Sequence, residues 1–118
     1  MAKQGDFQRE IYYAGSRIFK EGDPGNAAYL IESGKIEISR NDNGNAVVLG
    51  TLGPKEIFGE MALVDDAPRM ATAKALEDTV CYIVLRRVFD EKLAKSDPFI
   101  VALLRLFARN LRKMNKGK

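Results

Sequence analysis

The first two thirds of the chain is a series of short alternating segments, each broken off by glycine, and this pattern constrains the fold most. Arg9–Gly15 and Arg17–Asp23 are two such pieces. Ala27–Ser39 reads as two runs joined at Ser33-Gly34, with Ile36 and Ile38 on one face and Lys35, Glu37 and Ser39 on the other. Gly34 supplies the positive φ of a tight hairpin, so the two runs are expected to pair directly. Asn41–Asn45 and Gly22–Asn26 carry the Asn, Asp, Pro and Gly chemistry of turns. Further strands are expected in Ala46–Leu52, Ala71–Leu76 and Val80–Arg87. Many short strands at regular spacing predict a β-sandwich or roll, not a parallel sheet.

The end of the chain has a different period. Arg86–Ser96 predicts a short helix, followed by Asp97-Pro98 as an N-cap and first-turn proline. Ile100, Leu103, Leu104, Phe107 and Leu111 then form one apolar stripe, while Phe99, Ala102 and Leu106 lie off it. Such a helix is apolar on more than the face needed to dock once. Two readings stay open: it wedges deeply against its own roll, or it makes a second contact to a ligand or partner subunit. In all, 118 residues with 46% hydrophobic content make one domain over 1–118, with the β part at about 8–86 and helices at about 87–115.

Composition narrows the chemistry. There is no histidine, so metal and hydrolase sites built on histidine are excluded and an enzyme is not expected. The single cysteine, Cys81, lies in an apolar run and reads as a buried thiol. No apolar run approaches the ~20 residues of a membrane span and Met1–Glu10 has no signal-peptide character, which gives the expectation of a cytoplasmic protein with no membrane contact. Net charge is +3, yet six basic residues and no acids follow from Arg105 onward, leaving 13 basic against 16 acidic residues before it. The basicity belongs to the last helix, where cations suit the dipole. A nucleic-acid contact would rest on that tail alone.

Ile57–Ala75, "IFGEMALVDDAPRMATAKA", is the stretch least explained by packing. Gly59 and the turn Glu60–Leu63 present backbone N–H groups that suit an anion. Arg69 is placed to return a guanidinium to the same spot, and its planar fork matches phosphate oxygens. Glu60 beside it suits neutral hydroxyls, as on a sugar. The alternative for such a Glu–Arg pair is a structural salt bridge.

This stretch resembles the phosphate-binding cassette of the cyclic-nucleotide-binding domain, the module of protein kinase A regulatory subunits, catabolite-activator-type regulators and cyclic-nucleotide-gated channels. Ile18–Ser39, with Gly22, Gly25 and Gly34, is similar to the family's other signature. The resemblance covers nearly the whole chain. It implies a mainly β fold, an eight-stranded antiparallel β-roll with a short phosphate-binding helix and a long C-terminal lid helix. It implies that Glu60 accepts from the ribose 2′-hydroxyl and that Arg69 pairs with the phosphate. Backbone N–H groups at Met61, Ala62 and Ala71 would complete the cage, with Phe58 and Gly59 shaping the turn. Val47 and Leu49 would contact the base, and Leu111 or Arg112 would cap it. Met70 stands where family members preferring cGMP commonly carry a hydroxyl, which leans towards cAMP. Ala28 is smaller than the family's residue there.

The expectation is therefore a module sensing cAMP, or cGMP second, without a cofactor, which signals through its C-terminal helix to a partner or a second copy. The alternatives are a ligand-free interaction domain of the same fold and a regulator touching nucleic acid through its basic end. Met1 and the basic end suit a complete small protein.

Overall fold

The computed structural model describes residues 7–63 and 66–116. Eight strands form two four-stranded antiparallel sheets. They are β1 (Gln8–Tyr12), β2 (Arg17–Phe19), β3 (Ala27–Ser33), β4 (Ile36–Asp42), β5 (Asn45–Leu52), β6 (Ile57–Phe58), β7 (Thr72–Ala75) and β8 (Thr79–Leu85). One sheet runs β1-β8-β3-β6 and the other β2-β7-β4-β5. Alternation in β3, β4, β7 and β8 turns apolar residues inward, and Ile31, Ile36, Phe58, Ala73, Ala75 and Cys81 close the core between the sheets, whereas Val47, Val48 and Leu49 of β5 stay exposed.

The turn at Asn43-Gly44 is a hairpin, as its sequence requires. Both residues have positive φ, 55° and 87°, and Asp42 pairs with Asn45 across it. Gly34 also has positive φ, 104°, but the expected β3–β4 hairpin is not formed. β3 pairs with β8 and β6, whereas β4 pairs with β5 and β7, so the chain at Gly34 crosses from one sheet to the other. Thr79 fixes this crossing: its hydroxyl accepts from Lys35 N–H at 3.1 Å and donates to Glu77 C=O at 2.8 Å. A Cβ at Gly34 would run into Thr79. Burying both runs in a two-layer core outweighs pairing them with each other.

Two helices follow, α1 (Arg86–Ala94) and α2 (Pro98–Lys116). Asp97 caps α2 as its sequence predicts, its carboxylate accepting from Phe99 N–H at 2.8 Å with Pro98 in the first turn. Among the described side chains of α2, Ala108 alone is buried, and Val101, Leu103 and Arg112 are half-buried. Ile100, Leu104, Phe107, Leu111 and Met114 are exposed. The helix is therefore not wedged deeply into the roll. No described helix is long and apolar enough to cross a membrane.

Candidate functional site

The site begins where β6 ends. Gly59, at φ 73°, turns the chain into a single 3₁₀ turn, Glu60–Leu63, and Ala62 N–H donates to Gly59 C=O at 3.2 Å. Ala62 and Leu63 are buried and anchor the turn, while Glu60 is exposed. Val64 and Asp65 of the same stretch lie outside the described residues.

Arg69 reaches this turn from the loop before β7. Its backbone is joined to the Gly22–Asn26 turn: Arg69 N–H donates to Asp23 C=O and Gly22 N–H donates to Arg69 C=O, each at 2.8 Å. Glu21 N–H adds a bond to the Thr72 hydroxyl at 3.0 Å. The two signature stretches of the sequence are thus joined backbone to backbone.

The Arg69 side chain is only 8% exposed. Nη1 donates to Gly59 C=O at 3.0 Å and Nη2 to Ala27 C=O at 2.8 Å. The guanidinium lies over Phe19, 4.0 Å from the ring centroid. Phe19, Tyr29 and Phe58 form a floor of aromatic rings, with Tyr29 and Phe58 stacked at 5.0 Å. Glycines make room for this pose: a Cβ on Gly25 would stand 2.5 Å from Nε, and one on Gly59 2.7 Å from Nη1. Two features mark the group as incomplete. Nε is buried without a hydrogen-bond partner. Among the described residues, no carboxylate comes within salt-bridge distance of Arg69; salt bridges such as Arg9–Glu32, Arg86–Asp66 and Arg86–Asp90 form elsewhere. Burial pushes the Arg69 pKa down, and Tyr29 and Asp23 only partly oppose it. A buried cation without a counter-ion is costly, and an incoming anion relieves that cost.

A cavity of about 660 Å³ opens beside these groups, a size suited to a small organic ligand. One wall is the cassette, from Phe58 to Ala62 and from Ala67 to Ala71, with Glu60, Arg69 and Met70 among the lining side chains. The other wall is Ile38 and Arg40 of β4 with Leu49 and Leu52 of β5. Leu49 is the extra residue of a β-bulge, since Ile38 pairs with Gly50 and Ser39 with Val48. Val47 pairs with Arg40 but does not line the cavity. Arg112 of α2 lines it and donates to Pro68 C=O at 3.3 Å, whereas Leu111 does not line it. Phe19, Ile38, Arg40, Leu52, Ile57, Ala67 and Pro68 were not anticipated as lining residues. The alternation Ile36, Ile38, Arg40 carries the signal for two of them, because it places all three on one face.

The model of the cyclic nucleotide-binding domain family matches residues 9–96. The chain is 40% identical over 108 residues to the cyclic AMP receptor protein of Thermus thermophilus, an alignment covering 91% of this chain and 50% of the relative. It is 44% identical over 71 residues to the cAMP-dependent protein kinase regulatory subunit of Debaryomyces hansenii, covering 60% of this chain and 15% of that one. The solved EAL enzyme Bd1971 in its cAMP-bound form superposes with a TM-score of 0.85 at 37% identity, over 93% of this chain and 29% of that one. The chain belongs to the cyclic nucleotide-binding domain family. It spans about half the length of the bacterial receptor it matches.

Proposed function

We propose that this domain binds a cyclic mononucleotide reversibly, cAMP ahead of cGMP, and acts as a regulatory sensor without chemistry of its own. The observation that carries the reading is the Arg69 guanidinium, buried at the cavity wall with an unpartnered Nε and, among the described residues, no carboxylate at salt-bridge distance. A cyclic phosphate would supply the missing charge and acceptor. Glu60, exposed at the same wall, would accept from the ribose 2′-hydroxyl. Met61 and Ala71 would offer backbone N–H groups, with Phe58 and Gly59 holding the turn. Ala62 N–H is already given to Gly59 C=O and is left out of the cage. Leu49 would meet the base; Val47 and Leu111 stand off the cavity and are left out as well. Met70 offers no hydroxyl to a guanine amino group, which favours cAMP, as do the cAMP-related names of the relatives.

Arg112 joins α2 to the cassette through Pro68 C=O, so α2 would act as a lid and carry the signal by changing position on binding. Its exposed Ile100, Leu104, Phe107, Leu111 and Met114 are spaced by four, three, four and three residues, the seam of a two-stranded coiled coil. A second copy of this chain is the partner that seam fits. Isothermal titration with cAMP, cGMP and a cyclic dinucleotide tests the ligand class. The cyclic mononucleotides should bind with cAMP tightest, and a tighter dinucleotide would overturn the reading.

A further inference from the structure

The cavity is lined by three arginines, and the side chain of one has no partner among the described residues. Arg69 donates to two carbonyls and Arg112 to Pro68. Arg40 is half-buried and lines the cavity, and its side chain has no hydrogen-bond or ion-pair partner among the described residues. A side chain that ends in a planar fork of five donors is thus left unpaired at a ligand cavity.

Its position decides which part of a ligand it meets. Ser39 pairs with Thr72, so Arg40 lies one residue beyond the last β4–β7 pair, next to the strand end that follows Met70 and Ala71. With phosphate and sugar held on the cassette wall, the base would extend towards the β4–β5 wall, where Ile38 and Leu49 line the cavity. Guanine presents two adjacent acceptors, O6 and N7, on its Hoogsteen edge, and arginine bonds both at once. Adenine pairs its N7 acceptor with an amino donor that repels the fork.

We infer that Arg40 reads the Hoogsteen edge of the base and admits cGMP to a pocket whose Met70 favours cAMP. The assignment rests on the cyclic-nucleotide reading above. Arg40 thereby sets the ratio of the two affinities, and a domain so built responds to both nucleotides.

The test is titration of wild type, Arg40→Met and Arg40→Lys with cAMP, cGMP and inosine 3′,5′-cyclic monophosphate, which keeps O6 and N7 but lacks the guanine amino group. In Arg40→Met the cGMP/cAMP affinity ratio should shift about tenfold or more towards cAMP, with the inosine nucleotide moving alongside cGMP. Arg40→Lys, which keeps the charge but not the fork, should shift the same way. Equal losses for all three nucleotides would overturn the assignment and make Arg40 a second phosphate ligand. An unchanged ratio would overturn it too. If wild type binds none of the three, the cyclic-nucleotide reading itself fails, and this assignment with it. The titration of wild type therefore separates the two failures.

Discussion

The Arg69 guanidinium lies 4.0 Å above the centroid of the Phe19 ring, held there by the carbonyls of Gly59 and Ala27. Stacking and two hydrogen bonds fix a cation that has no salt-bridge partner among the described residues. The group is oriented before any ligand arrives, which lowers the cost of ordering it on binding.

Gly25 keeps this pose possible without needing a positive φ. Replacing it with alanine puts a Cβ 2.5 Å from Nε and 2.6 Å from the guanidinium carbon, so the side chain must move. Gly25→Ala should lose about tenfold or more in cyclic nucleotide affinity, with a stability loss of about 1–3 kcal/mol for the overpacking. Titration calorimetry and urea unfolding read the two quantities separately. Undiminished affinity would show that the present pose of Arg69 is not the binding one.

Glu60 is tested through the sugar. Removing a hydrogen bond to a charged acceptor costs about 1.5–3 kcal/mol, so 2′-deoxy-cAMP should bind wild type at least about tenfold more weakly than cAMP. In Glu60→Ala the same change in ligand should matter little, because the two deletions remove one interaction. Additive losses would detach Glu60 from the ribose.

How much of this was visible in the sequence depends on range. Asn43-Gly44 and Asp97-Pro98 were legible because their geometry is decided within four residues, by positive φ in one case and by a side-chain cap in the other. Ser33-Gly34 was misread since the same local chemistry serves a hairpin and a crossing between sheets; Thr79, far along the chain, decides which. β6 has only two residues and therefore no period to detect. The cassette residues themselves were legible as a motif, but the floor beneath Arg69 was not. Phe19 and Tyr29 reach it through pairing with β7 and β8, respectively, which no local pattern announces.

Cys81 gives a pH test of the core. Burial pushes its thiol up to about 11 from an ordinary value of 9.0. A raised folded-state pKa means that the stabilisation is fully present below pH 9 and is lost as pH rises towards 11, since only the unfolded chain ionises in that window. The loss should total about 2–3 kcal/mol. Urea unfolding of wild type and Cys81→Ala between pH 8 and pH 11 isolates it from the tyrosines, because only the wild-type curve carries the thiol's share. Parallel curves would place Cys81 in contact with solvent.

The seam on α2 predicts self-association. Phe107 is 55% exposed, so Phe107→Glu should leave the roll folded while separating the copies. Sedimentation velocity should find a dimer for wild type and a monomer for the variant. A monomeric wild type would assign the exposed stripe to some other surface.

The most direct measurement is calorimetric titration of cAMP into wild type and Arg69→Ala side by side. Charge-assisted hydrogen bonds to a phosphate are worth about 1.5–3 kcal/mol, so the variant should bind roughly ten- to a hundredfold more weakly than a wild type that saturates at one nucleotide per chain. No binding of cAMP or cGMP to wild type at millimolar concentration, or equal affinity in the variant, would contradict a cyclic phosphate at Arg69.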